Sequence, residues 1–140
     1  MGRQEELADA LASFALFADM STPKLLAVVE TFDEVSFPQG ERVLRQGLTG
    51  GGFYIILDGE AAVRVDGEDR ATLPRGDFFG EVSILLGEQP VADIVALRPL
   101  RCLVLPADQV QSFLTSYPEV MFRMLQVQAR RLRHANRWRS

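Results

Sequence analysis

The chain has 140 residues, 47% hydrophobic and 24% charged, a composition for one globular core rather than a disordered chain. A formal net charge of −4 argues against a sequence-general nucleic-acid binder, whose phosphate contacts need clustered Lys and Arg. No run approaches the roughly 20 apolar residues of a membrane span, and the acidic start at Glu5, Glu6 and Asp9 is not a secretory leader, so the expected location is the cytoplasm.

Gln4 to Phe17 reads as a helix, with Leu7, Leu11, Phe14 and Phe17 near one face. Ser21-Thr22-Pro23 is a helix start, a cap hydroxyl ahead of a first-turn proline. That helix continues through Leu25, Leu26, Val28 and Val29 to about Phe32. From Asp33 short β-prone runs alternate with glycine turns: Val35 to Phe37, Arg42 to Arg45, Phe53 to Leu57, Ala61 to Val65, Arg70 to Leu73, Ile94 to Ala96 and Arg101 to Leu105. The turn signals include Gly50-Gly51-Gly52, Asp58-Gly59 and Asp66-Gly67, and an Asp-Gly pair tolerates positive φ. Tyr54, Ile56, Val63 and Val65 alternate as candidate inward residues. Cys102 is the only cysteine and lies in the apolar run Cys102-Leu103-Val104-Leu105, which predicts a buried structural thiol. Pro106 to Phe113 reads as a short helix, and Pro118 opens a longer one to about Trp138.

The expected fold is mainly β with flanking helices, a double-stranded β-helix or jelly roll. One domain is expected over 1–140: helices over 1–32, a β-roll over 33–105 with a short helix near 80–86, and helices over 106–140.

Three motifs stand in order along the chain. They are Phe37-Pro38-Gln39-Gly40 running to Gly47, Phe53-Tyr54-Ile55-Ile56-Leu57-Asp58-Gly59-Glu60-Ala61, and Gly76-Asp77-Phe78-Phe79-Gly80-Glu81. Together they resemble the cyclic nucleotide-binding domain shared by bacterial catabolite activators, kinase regulatory subunits and nucleotide-gated channels. The resemblance covers nearly the whole chain. It implies a binding rather than a catalytic function, with cAMP or cGMP as ligand candidates and no cofactor.

The resemblance also implies a phosphate-binding cassette after Phe79. A short helix from Gly80 would hold Glu81, Val82 and Ser83, its N–H groups facing the cyclic phosphate. Gly80 would let the sugar-phosphate approach, and Glu81 would accept from the ribose 2′-hydroxyl. The family pattern continues as Pro-Arg-(Ser/Thr/Ala)-Ala, whereas this chain has Pro90-Val91-Ala92-Asp93. Val91 and Ala92 thus stand at ligand-facing positions, with the arginine missing. Valine cannot supply an arginine's two charge-assisted bonds. A charged hydrogen bond is worth roughly 1.5–3 kcal/mol, so its loss weakens binding by about one to two decades. Arg64, Arg70 or Arg75 could supply a cation from another strand, although their expected place is the surface. Three readings stay open: weak cAMP or cGMP binding, a less anionic ligand, or an empty pocket in an interaction module.

In the family the final helix covers the pocket and transmits occupancy. Here Met121, Leu125 and Leu132 lie at heptad-compatible spacing, with Gln128 interrupting and Met124, Val127 and Arg131 on a neighbouring face. This helix would pack on its own roll, on a second copy as a homodimer, or on both. Six arginines and His134 follow from Arg123 with no acid. They suit the negative end of a helix dipole or an acidic protein partner. Direct DNA binding is not expected, because the sequence carries no helix-turn-helix unit. A cupin-like metal enzyme, the competing class for a small β-roll, needs several clustered ligands, and His134 is the single histidine. Nor does any nucleophile-base arrangement emerge.

Overall fold

The computed structural model describes residues 2–48 and 51–135. Gly50 of the glycine triplet and the Arg137-Trp138-Arg139 end lie outside the described residues. The elements run α1 (Arg3–Ala12), a 3-10 turn (Ala15–Phe17), α2 (Thr22–Thr31), β1 (Asp33–Phe37), β2 (Arg42–Leu44), β3 (Gly52–Asp58), β4 (Ala61–Val65), β5 (Glu68–Leu73), β6 (Phe78–Phe79), α3 (Glu81–Leu86), β7 (Asp93–Ala96), β8 (Leu100–Pro106), a 3-10 turn (Ala107–Gln109), α4 (Val110–Ser116) and α5 (Pro118–Ala135).

The expectation of a mainly β jelly roll is corrected. The strands form two separate four-stranded antiparallel sheets, ordered β1-β8-β3-β6 and β2-β7-β4-β5. No strand ladder among the described residues joins one sheet to the other, and neither sheet closes on itself. Helices hold more residues than strands, so the fold is mixed α/β with two open sheets and flanking helices. The physical reason is a second core. The outer face of the first sheet is apolar and is covered by helices rather than left to water. Phe53, Ile55, Leu57, Phe78, Leu103 and Leu105 pack there against α1, α2, α4 and α5. On the opposite face Ile56, Phe79, Leu100 and Cys102 meet Leu44, Ala61, Leu73 and Ile94 between the sheets. Strand β3 is therefore buried on both faces and reads as a continuous apolar run.

Local signals explain most boundaries. Ser21 caps α2, its hydroxyl accepting from Lys24 N at 3.4 Å, and Pro23 sits in the first turn. The first predicted helix is shorter than expected. It stops where Ser13 Oγ donates back to Ala10 O at 2.7 Å and Phe14 turns extended, although Leu7, Leu11, Phe14 and Phe17 are all buried as expected. Asp66 and Gly67 both take positive φ, 52° and 82°, which closes the two-residue link from β4 to β5. Asp58-Gly59 has a different job: it carries the chain from the first sheet to the second. Of the alternating residues, Ile56 lies in the inter-sheet core with Tyr54 and Val63 packed against it, while Val65 is not part of it.

Helix α5 has two apolar faces with different fates. Met124 and Val127 pack on the helix-covered core. Met121, Leu125 and Leu132, the heptad-spaced set, are exposed.

Candidate ligand-binding site

Strand β6 sets the site. Its two phenylalanines point into different cores, Phe78 outward and Phe79 between the sheets. Tyr54 stacks on Phe79 with ring centroids 4.9 Å apart and planes 7° apart. The approach to β6 is locked by backbone bonds, Gly76 N to Ile56 O at 2.8 Å and Ile56 N to Asp77 O at 2.9 Å. Gly80 then takes φ 92°. A Cβ there would lie 2.1 Å from Gly52 O, a contact no side chain tolerates. The glycine is thus required by the neighbouring strand, whatever ligand approaches.

That turn delivers Glu81 as the first residue of α3, where it is 1% exposed. Helix α5 reaches over it. Gln128 Nε2 donates to Glu81 Oε2, and Arg131 Nη1 lies 3.5 Å from the same oxygen. Arg131 Nη2 donates to Asp77 Oδ1 and to Phe78 O at 3.2 Å. Its guanidinium carbon stands 4.6 Å from the Phe78 ring centroid, an attractive cation-on-ring arrangement. Asp77 Oδ1 also accepts from Phe78 N at 3.0 Å. Burial pushes the Glu81 carboxyl above its ordinary range. Its own backbone amide, the Arg131 charge and the Gln128 bond oppose that rise, while the Asp77 charge adds to it.

A cavity of about 1470 Å³ opens between α3, the second sheet and the end of α5. All seven residues predicted from sequence line it: Phe79, Gly80, Glu81, Val82, Ser83, Val91 and Ala92. Ser83 Oγ donates to Gly80 O at 3.3 Å, tying the first turn of α3 to the glycine. The loop into β7 is anchored by Gly47 N donating to Pro90 O at 2.8 Å. Asp93 is turned away from the cavity to accept from Gln46 N at 2.7 Å. Val91, at the arginine position, is 64% exposed.

Two of the three alternative arginines are used elsewhere. Arg64 pairs with Asp69 at 2.6 Å. Arg75 donates to Leu57 O at 3.1 Å and lies 5.0 Å from the Phe14 ring. Arg70 does line the cavity, with Glu68 3.4 Å away. The residues that sequence reasoning missed are Gln128 and Arg131 as partners of Glu81, and Asp77 as the partner of Arg131. Their signal was the i, i+3 spacing of Gln128 and Arg131, one polar stripe beside Met124. Among the described residues no group of His, Cys, Asp and Glu can hold a metal, and no helix is long and apolar enough to cross a membrane.

The family model described as Cyclic nucleotide-binding domain matches residues 34–117. The chain belongs to the cyclic nucleotide-binding domain family. It is 27% identical over 129 residues to a cGMP-dependent protein kinase of Drosophila melanogaster, isozyme 2 forms cD5/T2, covering 86% of this chain and 14% of that kinase. Among solved structures it resembles the Thermus thermophilus catabolite activator protein at 28% identity and TM-score 0.77, covering 87% of this chain and 60% of that one. A cyclic nucleotide-binding domain from Methylobacillus flagellatus superimposes with TM-score 0.78 at 25% identity, covering 95% of this chain and 80% of that one. The chain thus spans a small fraction of the kinase it matches.

Proposed function

We propose that residues 1–140 act as one cyclic-nucleotide-type sensing module, which captures a ribose-bearing ligand in the cavity and reports it through α5. The observation that carries this reading is Glu81. A carboxylate 1% exposed at the start of a short helix, lining a cavity of about 1470 Å³, is costly to bury unless it serves as an acceptor. The ribose 2′-hydroxyl of a cyclic nucleotide supplies such a donor. With Val91 in place of an arginine, cAMP and cGMP bind weakly, through Glu81 and the cassette backbone. The fly kinase is named as cGMP-dependent, which supports the ligand class without choosing the base.

The route to an output runs through the same atom. Gln128 and Arg131 converge on Glu81 Oε2, so a ligand hydroxyl bonded to the same carboxylate perturbs both α5 contacts. Occupancy then biases the position of α5, because the ligand has different affinity for the two arrangements. Calorimetric titration with cAMP and cGMP to millimolar concentration tests this. Saturable one-site heat is expected, and Glu81→Ala should abolish it. Affinity unchanged in that variant would remove Glu81 from the site.

A second reading is favoured by a different observation. Met121, Leu125 and Leu132 are exposed on one side of α5, and the cassette lacks its cation. The domain would then be a degenerate, non-binding module that dimerises or docks a protein through α5. Silence in both titration and thermal shift would favour it. In either reading the module works in the cytoplasm and makes no direct contact with DNA.

A further inference from the structure

The charges around the deep end of the cavity do not suit an added anion. Asp77 and Glu81 contribute two carboxylates against the single guanidinium of Arg131. That guanidinium is already committed to Asp77, Glu81 and the Phe78 carbonyl. Helix α3 has six residues, and the buried Glu81 stands in its first turn, so its N-terminal end already carries an acidic group. From Gly76 to Leu97 there is no lysine or arginine, and the cavity wall carries a further acid, Glu88. The remaining wall near the cassette is apolar, with Val82, Leu86, Val91, Ile94 and Leu44. Arg70, Arg130 and Arg133 also line the cavity, but all three are exposed. There they attract any anion through water and salt without fixing its geometry.

We propose that this cavity selects an uncharged, diol-bearing ligand of the nucleoside class, binding it at least as tightly as the corresponding cyclic nucleotide. The inference rests on the reading of Glu81 as the sugar anchor. Both α5 contacts fall on Oε2, and a carboxylate has about four acceptor sites, so the diol has room to bond beside them. The flat base finds apolar wall, as small-molecule sites generally provide. A cyclic phosphate entering the same place loses hydration and meets no free paired cation. It therefore adds nothing to the affinity that base and sugar already supply.

The test is a matched set of titrations on the full chain: adenosine against cAMP and guanosine against cGMP, each by calorimetry and thermal shift. In whichever purine pair binds, the nucleoside should bind as tightly as the cyclic nucleotide or more tightly. Val91→Arg should reverse that order, strengthening the cyclic nucleotide by about tenfold or more and leaving the nucleoside nearly unchanged. A wild-type preference for the cyclic nucleotide of about tenfold would overturn this inference while leaving Glu81 as sugar anchor. Failure of all four compounds in both assays would overturn the sensing reading itself and this inference with it.

Discussion

The two ends of the cavity obey different constraints. The deep end, where Gly80, Glu81 and Asp77 meet Gln128 and Arg131, is pinned by strand pairing, backbone bonds and burial. The loop end, where Val82, Leu86 and Val91 face solvent, has no comparable polar framework. One end can lose its chemistry without harm to the fold, and the other cannot. Gly80 is therefore weak evidence of a ligand taken by itself, because the sheet would demand the glycine anyway. Val91 is the more informative residue, because nothing in the fold requires a valine there.

Breaking the deep end should give the largest effect. In Gly80→Ala the new Cβ lies 2.1 Å from Gly52 O, at φ 92°. Backbone strain of this kind costs about 1–3 kcal/mol before any clash is counted. A destabilisation of about 3 kcal/mol or more is expected, at the upper end for a single substitution. Urea unfolding would show it as a lower midpoint with unchanged slope. A midpoint unmoved would mean that β3 and β6 are not held together as described.

The loop end should respond in the opposite way. Val91→Arg places a cation at an exposed position and should leave the unfolding midpoint within about 0.5 kcal/mol of wild type. The gain appears in ligand affinity, about ten- to a hundredfold for cAMP or cGMP, read by calorimetry. Loss of stability with no gain in affinity would show that the loop no longer presents position 91 to the cavity.

A pH series sharpens the comparison from the side of charge. The ordinary carboxyl value of 4.5 is exceeded at Glu81 chiefly through burial. The folded chain therefore holds this proton more tightly than the unfolded chain does. The resulting stabilisation is complete below the ordinary carboxylate range and is lost as pH rises through the raised value. Glu81→Gln removes that dependence and keeps a polar group for Gln128. Relative to wild type, the variant should therefore gain stability as pH rises through this window. Thermal unfolding of both proteins from about pH 4 to pH 8 measures it. Parallel curves would mean that Arg131 and Gln128 fully compensate the burial.

Much of this was legible before any coordinates. The motif at Phe53–Ala61 and the turn at Gly76–Glu81 locate β3, β6 and α3 in order, and the seven cassette residues do line one cavity. The two-layer core was not legible as such. Phe53 and Ile56 lie only three residues apart yet belong to different cores, and an apolar run buried on both faces has no alternation to reveal this. Nor could Asp58-Gly59 be told from a hairpin turn by composition, although it joins two sheets. The α5 contribution was hidden by distance along the chain, since Gln128 and Arg131 are 47 and 50 residues from Glu81. Their basic neighbours favour a solvated reading, and only tertiary packing of Met124 turns this stripe inward.

The smallest effect is expected on the outward side of α5. Leu132 is 64% exposed and Leu125 is 61% exposed, while Met124 and Val127 on the packed side join the core. Leu125→Ser with Leu132→Ser should move the unfolding midpoint by no more than about 0.5 kcal/mol, as for surface positions generally. Sedimentation of the variant and wild type at matched concentrations separates the two readings of the helix. Equal mass in both leaves α5 as a cover for its own cavity, and ligand sensing needs no second chain. A wild-type dimer dissociated by these two substitutions would assign the outward face to self-association. The packed and outward faces of one helix would then carry different functions, with Arg131 on the cavity and Leu132, one residue later, on the partner.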